Sequence, residues 1–456
     1  MNKAVISVAC IAAAVSTAGV CAAQEYKPRL PQGWSMVDQY IQDNWDSTVV
    51  ESKELPEPHT GVWGLLFYWD TYFTNAGLLL HQGKGGIAKN NVDCLLFEVE
   101  KYGFVPNANA KWGMNRSQPP YLSMMVREVY EHTEPKDKEW LKKAYDTLKK
   151  EYYFWIDDSN NTIERHTTTI GGLNRYFHHA GNNDVATFYK DVLVPRFGYP
   201  ANANRQQRIK DATPYLAEAE SGMDFTPRFE GRCPDFAALD LNCNLYMYEM
   251  NFAWIVTELG LGGEPSWNLR AEKRKSLINK HCWDEKRGLF MDYDCVNGRT
   301  SKVAAVTAFS PLWAGLASKE QAKRTVENLR LFECDWGVTV CEKTQQKFRY
   351  QWDWPAGWAP LHYIVIAGLD RYGYKQEARR VASKYLDLVT KNYFEPTPAS
   401  LTKDGKTVER KSGKIYEKYN VVDGIIYDAE YPCSEFMGWS AGVFAYAYHY
   451  VYVNQQ

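Results

Sequence analysis

Apolar residues recur at steps of three and four over long stretches of this chain, and scarcely anywhere at steps of two. Within residues 137–155, Leu141, Ala144, Tyr145, Leu148, Tyr152 and Trp155 form one apolar stripe, the mark of a helix with a single buried face. Ala378, Val381, Ala382, Tyr385, Leu386 and Val389 repeat the pattern across 375–390. Further stripes run through 71–80, 245–259, 266–281, 360–371 and 436–451. Start signals accompany two others: Ser318-Lys319-Glu320-Gln321 has capping-box spacing, and Pro119-Pro120 stand where a helix begins, ahead of Tyr121, Met124, Met125 and Val129. The best candidate strand is short, in 288–295. Roughly a dozen helices without a parallel-sheet pattern predict helices packed on helices, an all-α fold.

The segments between the stripes are not linkers. Residues 58–70, 103–120, 171–200, 220–244, 350–360 and 412–439 are rich in Trp, Asn, Asp, Arg, Gly and Pro. No low-complexity spacer or charge run divides the chain, so a single domain is expected, with long loops carrying the chemistry above a helical scaffold.

Composition narrows the partners. The 456 residues are 45% apolar and 24% charged, and the net charge of −2 lacks the basic excess that nucleic acid or an anionic membrane requires. Aromatic content is high, with 16 Trp, 31 Tyr and 19 Phe, which suits either core filling or a cleft where ring faces pack on sugar C–H groups. The N-terminus predicts a signal peptide over 1–23: Lys3, an apolar run from Ala4 to Val15, and the small Cys21-Ala22-Ala23 ahead of Gln24. The expectation is an exported, periplasmic or secreted protein without a membrane anchor, its single domain spanning 24–456. Of the eight cysteines beyond that segment, Cys233/Cys243 and Cys334/Cys341 are the nearest candidate pairs for disulfides in an oxidising compartment. There is no Cys/His cluster with zinc spacing, and no metal site is expected.

Several tempting signals have plainer readings. Gly260-Leu261-Gly262-Gly263 follows a helical stripe and reads as a C-cap rather than a phosphate loop. His178-His179 has no ligand helix beside it, and Lys273-Arg274-Lys275 reads as a solvated helix face. What remains is acidic and aromatic. In Glu220-Ser221-Gly222-Met223-Asp224-Phe225, a carboxyl is set between two apolar side chains, which favours its neutral form. Asp224 therefore suits a general acid; capping a turn is the structural alternative.

Seven segments, in order, resemble those of trehalases, the inverting glycoside hydrolases with an (α/α)6 toroid. They are 67–73 (FYWDTYF), 103–120 (GFVPNANAKWGMNRSQPP), 219–229 (AESGMDFTPRF), 239–246 (LDLNCNLY), 351–360 (QWDWPAGWAP), 416–420 (YEKYN) and 429–443 (AEYPCSEFMGWSAGV). The related oligosaccharide glucosidases share the toroid and a similar acid motif. The resemblance implies a double ring of about twelve helices, with Asp224 as general acid and Glu417 as the general base that activates water. An inverting pair stands ~6.5–9.5 Å apart. It further implies that Trp69, Asp70, Asn107, Arg116, Gln118, Trp352, Asp353, Trp358 and Glu430 contact the sugar. For Trp358 and Trp63 plain core packing is the alternative, and for Asp70 and Arg116 a structural ion pair.

The implied activity is hydrolysis of trehalose or a similar short α-glucoside, without cofactor; a monomer is the default expectation. The alternatives are a glucosidase for another α-linked disaccharide or oligosaccharide terminus, and a sugar-binding relative without catalysis. The departures bear on that choice. Val62 stands where trehalases carry an arginine, and Asp184-Val185-Ala186-Thr187 stand where they carry an Arg and a Glu. Residues 421–429 replace a glycine-rich lid, and Asn420 replaces an aspartate.

Overall fold

The computed structural model describes residues 26–159, 165–345, 350–403 and 406–452. Its helices alternate between two burial patterns. Helix α1 (Pro31–Asn44) buries only Trp34, Val37 and Ile41, whereas α2 (Tyr68–Leu78) is buried along its whole length. After α3 (Gly85–Tyr102) comes the largely buried α4 (Leu122–His132), and then the amphipathic α5 (Lys138–Ile156). A side lobe follows, built from α6 (Asn182–Phe188), a π-helical turn Tyr189–Leu193, α7 (Val194–Phe197) and α8 (Arg205–Ala219). The alternation then resumes with α9 (Leu239–Leu259), α10 (Trp267–His281), α11 (Ser310–Ala314, extended by a 3-10 turn Val306–Phe309) and α12 (Lys319–Glu327). It ends with α13 (Ala359–Arg371), α14 (Lys375–Phe394) and α15 (Trp439–Tyr452).

Helices apolar on all sides must be surrounded, and amphipathic ones must face water on one side. Accordingly α2, α4, α9, α11, α13 and α15 pack in that order into a closed inner ring, α15 returning to α2. Helices α3, α5, α10, α14 and α1 pack outside it, and α12, which buries only Ala322 and Thr325, completes the outer set. The protein is an (α/α)6 toroid. Polar bolts join the rings: Tyr68 on α2 donates to Glu151 on α5 at 2.5 Å and accepts the N–H of Leu122 at the start of α4 at 3.0 Å. Buried Asp387 on α14 accepts from Arg29 N–H, Leu30 N–H and the Trp34 indole, which ties α1 to the outer face.

The predicted stripe over 137–155 is α5, and the Ser318 capping box forms both of its hydrogen bonds. The strand expected in 288–295 divides in two, because Leu289–Phe290 pairs with Trp283–Asp284 while Tyr293–Asp294 pairs with two other partners. The segment 171–200, read as loop, contains α6 and α7, whose buried faces serve the lobe's own small core of Val185, Tyr189, Leu193, Ala212 and Leu216. All eight cysteines from Cys94 to Cys433 are free, so the candidate pairs Cys233/Cys243 and Cys334/Cys341 are unlinked thiols. Among the described residues no helix is long and apolar enough to cross a membrane. The N-terminal segment read as a signal peptide lies outside them.

The ring closes where α15 crosses α2 at two glycines. A Cβ on Gly442 would lie 2.0 Å from the carbonyl oxygen of Phe73, and one on Gly77 would lie 2.7 Å from the Cα of Gly442. Backbone meets backbone there, and neither side can yield without unwinding a helix. Gly442→Ala is expected to lower the unfolding free energy by about 3 kcal/mol, read as a lower urea midpoint. An unchanged midpoint excludes this crossing as the point of closure.

Candidate active site

Four of the inner helices, α2, α4, α13 and α15, begin around a cleft of about 330 Å³. Trp69 and Asp70 stand in the first turn of α2, Gln118 shortly ahead of α4, Trp358 immediately before α13, and Trp439 at the first position of α15. Helix N-termini carry partial positive charge and unpaired N–H groups, so this cleft favours anionic and hydroxyl-bearing groups.

Four buried tryptophans form the inner wall. Trp352 and Trp358 stack at 3.7 Å between ring centroids with planes 6° apart. Trp439 stands edge-on to both, at 6.2 and 5.8 Å, and Trp69 meets Trp352 at 5.7 Å and Trp439 at 6.0 Å. Outward from this cage come Phe436, 4.9 Å from Trp439, and then Trp63, 5.7 Å from Phe436. Trp63 and Trp112 are 60% and 51% exposed, so the aromatic wall continues to the rim. Such a surface fits the C–H faces of a pyranose.

The acid-bearing loop is fixed to its neighbours by its own motif. Glu220, fully buried, accepts the N–H groups of Ser117 at 3.0 Å and Phe177 at 2.8 Å, and a hydrogen bond joins it to His166 at 3.0 Å. This carboxylate is a staple between the 103–120 and 219–229 segments. Gly222 has φ +73°, and a Cβ there would stand 2.6 Å from Trp69, so only glycine fits both its backbone and its neighbour. Gln118 accepts the Trp69 N–H at 3.0 Å, and Asn107 donates to the Ser117 carbonyl at 3.3 Å. Three polar atoms of cleft-lining residues, Arg116 Nε, Gln351 Oε1 and Trp352 Nε1, are buried without a hydrogen-bond partner among the described residues.

Asp224 and Glu417 line the same cleft. Burial pushes the Asp224 carboxyl above the ordinary carboxylate range, against the pull of Arg196 and Arg116. The cleft still reaches 39% of its side chain, which moderates that shift. Glu417 is held differently. Antiparallel pairing of Ala356–Trp358 with Lys418–Asn420 sets Trp358 opposite Lys418 and fixes the base of the segment. Lys418 Nζ lies 2.9 Å from Glu417 Oε2, and the Tyr431 hydroxyl donates to Oε1 at 2.9 Å. Asp70 is pushed well above its usual range, first by burial and then by the charges of Glu417 and Asp224.

The cleft thus unites Trp69, Asp70, Asn107, Arg116, Gln118, Asp224, Trp352, Trp358 and Glu417. Asp353 is fully buried and does not line it; its Oδ1 accepts the Trp354 N–H at 2.7 Å. Glu430 stands behind the lining, 2.7 Å from Arg196 Nη1, and burial raises its carboxyl to about 7. The residues that sequence reasoning missed are Arg196, Tyr431, Trp439 and Lys418. Arg196 had no signal, since its position depends on how the lobe folds. The Glu417-Lys418 pair was legible only as a neighbour in sequence.

The departures have structural accounts. Asn420 caps a turn, accepting the N–H groups of Val422 and Asp423 and donating to Asp423 at 2.7 Å. Residues 421–429 hold a turn and a short return strand, Ile425–Ile426 pairing with Tyr419 and Asn420. Asp184–Thr187 belong to α6, where Val185 joins the lobe core.

A family model described as trehalase matches residues 29–451. The cytosolic neutral trehalase of Kluyveromyces lactis is 32% identical over 402 residues, covering 80% of this chain and 51% of its own length. The cytosolic neutral trehalase of Neurospora crassa is 30% identical over 445 residues, with 84% and 57% covered. The chain therefore spans about half the length of the curated relatives it matches. Neutral trehalase Nth1 from Saccharomyces cerevisiae superposes with a TM-score of 0.69 at 26% identity, over 91% of this chain and 80% of that one. These relatives overturn the expectation of an exported, periplasmic or secreted protein: both curated ones are named cytosolic, and the segment that suggested export lies outside the described residues.

Gly222→Ala is expected to displace Trp69 and to lower stability by about 1–3 kcal/mol, with a shift in tryptophan emission. Unchanged emission and an unchanged urea midpoint would remove Gly222 from this role.

Proposed function

Because the chain belongs to the trehalase family, we propose that its cleft hydrolyses a short α-linked glucoside, trehalose first among them, with inversion at the anomeric carbon. The observation that carries this reading is the unequal setting of two carboxyls in one cleft. Asp224 is pushed toward its protonated form by burial, while Glu417 has the Lys418 ammonium and the Tyr431 hydroxyl on its two oxygens. That division is what acid–base hydrolysis of a glycoside needs.

Asp224 donates its proton to the glycosidic oxygen as the C–O bond breaks. Glu417 takes a proton from water, whose oxygen bonds to the anomeric carbon from the opposite face. One glucose leaves with its configuration inverted, and the second departs as the alcohol. The tryptophan cage packs on the reacting ring. Asp70, Arg116 and Gln118, together with the unpartnered Trp352 indole N–H, bind its hydroxyls.

A second reading, a glucosidase for another α-linked disaccharide or oligosaccharide terminus, is favoured by the open rim. Exposed Trp63 and Trp112 border the mouth, and Val62 packs near Gly438 instead of presenting a guanidinium. A disaccharide panel scored by glucose release separates the two; cleavage of trehalose alone eliminates the second.

Asp224→Asn and Glu417→Gln are each expected to reduce kcat by about 1,000-fold or more while the melting temperature stays within a few degrees of wild type. Proton NMR of a fresh digest reports the anomer, and a retained configuration refutes the assignment. The pH profile follows from the sign of the Asp224 shift. The acid acts only while protonated, so kcat/KM falls as pH rises through its folded pKa. Burial raises that pKa, so the alkaline limb is expected above the free-carboxyl value of about 4. A limb at or below that value contradicts the role.

A further inference from the structure

The lobe formed by α6, α7 and α8 meets the toroid at the acid itself. Phe225, next to Asp224 and 1% exposed, is enclosed by lobe rings: Tyr215 at 5.3 Å, Phe197 at 5.4 Å and Phe188 at 6.3 Å. Arg196, adjacent to Phe197 on α7, reaches into the cleft. Its Nη1 lies 2.7 Å from Glu430 Oε2 and 3.6 Å from Asp224 Oδ2, and 30% of the side chain remains exposed. The dipeptide Arg196-Phe197 therefore grips the dipeptide Asp224-Phe225, one member by charge and the other by ring packing.

We propose that Arg196 is a positioning residue for the leaving-group side of the cleft: with Glu430 as its anchor, it aims the Asp224 carboxyl and donates hydrogen bonds to hydroxyls of the departing sugar. The inference rests on the glycosidase reading above. Glu430 occupies one edge of the guanidinium, which leaves N–H groups for a neutral, hydroxyl-bearing partner.

The groups acting on Asp224 from every side are few. Arg196 comes from α7 and Arg116 from the loop before α4; Glu417, Glu430 and Tyr431 come from the C-terminal loops, Asp70 from α2, and Glu218 from the end of α8. Arg196 and Arg116 are the cations that pull on Asp224, while Lys418, beside them, is paired with Glu417, so removing Arg196 leaves a more negative surrounding and makes the acid hold its proton to higher pH.

The test compares two substrates in Arg196→Met and Arg196→Lys. Trehalose, or whichever disaccharide of the panel the wild type cleaves fastest, needs a proton on its leaving oxygen; α-glucosyl fluoride does not. Arg196→Met is expected to lose about 100-fold in kcat/KM on the disaccharide and less than about 3-fold on the fluoride. Its alkaline limb on the disaccharide moves to higher pH. Arg196→Lys keeps the charge and is expected to recover about 10-fold of the loss without the limb shift. Equal losses on both substrates, or an unmoved limb in Arg196→Met, overturn the inference while wild-type turnover leaves the glycosidase reading intact. A wild type inert toward both substrates refutes that reading and this one with it.

Discussion

The backbone contact between α2 and α15 at Gly77 and Gly442 is the constraint on which the remainder of the structure depends. It joins the first inner helix to the last, and a ring of helices has a centre only once it is closed. Trp69 and Asp70 ride on α2, Trp439 on α15, and Glu417 immediately precedes the strand Lys418–Asn420 in the segment leading to α15. A looser crossing would separate these groups although each helix stayed folded. Side-chain packing alone gives some tolerance; a crossing with no room for a Cβ on either glycine gives almost none.

The closed ring then gathers acids that water would keep apart. Asp70, Asp224, Glu417 and Glu430 share one region with Arg116, Arg196 and Lys418. Concentrating carboxyls in a partly buried cleft costs stability. Some other buried acids have closer partners. Glu220 has hydrogen bonds on both oxygens, and Arg228 lies 2.6 Å from Asp240 and 3.2 Å from Asp292. Asp224 differs, with one cation at 3.6 Å and an open face. The contrast in partners, more than burial as such, separates an acid that can exchange a proton from one that holds loops together.

Part of this is legible in the sequence. The stripes over 137–155 and 375–390 became α5 and α14, because a one-sided apolar pattern has only one way to be buried. Most of the cleft residues lay in the irregular segments between stripes, where backbone groups and aromatic rings remain available for a ligand. The misses share a cause. The lobe helices are short and polar, and their apolar residues face one another. Asp353 sits in the same motif as Trp352 and Trp358 yet is fully buried outside the cleft lining, where it bonds its neighbour's N–H. Unpaired thiols replaced the suspected disulfides because sequence proximity does not bring sulfurs together.

The chain by itself determined the helical class, the kinds of residue in the interhelical loops, and an acid set between apolar neighbours at Asp224. These depend on periodicity and local composition, which act over a few residues. The tertiary structure decided which carboxyls share the cleft, which cation stands against each of them, and that Arg196 arrives from a lobe whose core is separate. Those facts depend on distances between segments far apart in the chain, and such distances are settled only when the ring closes.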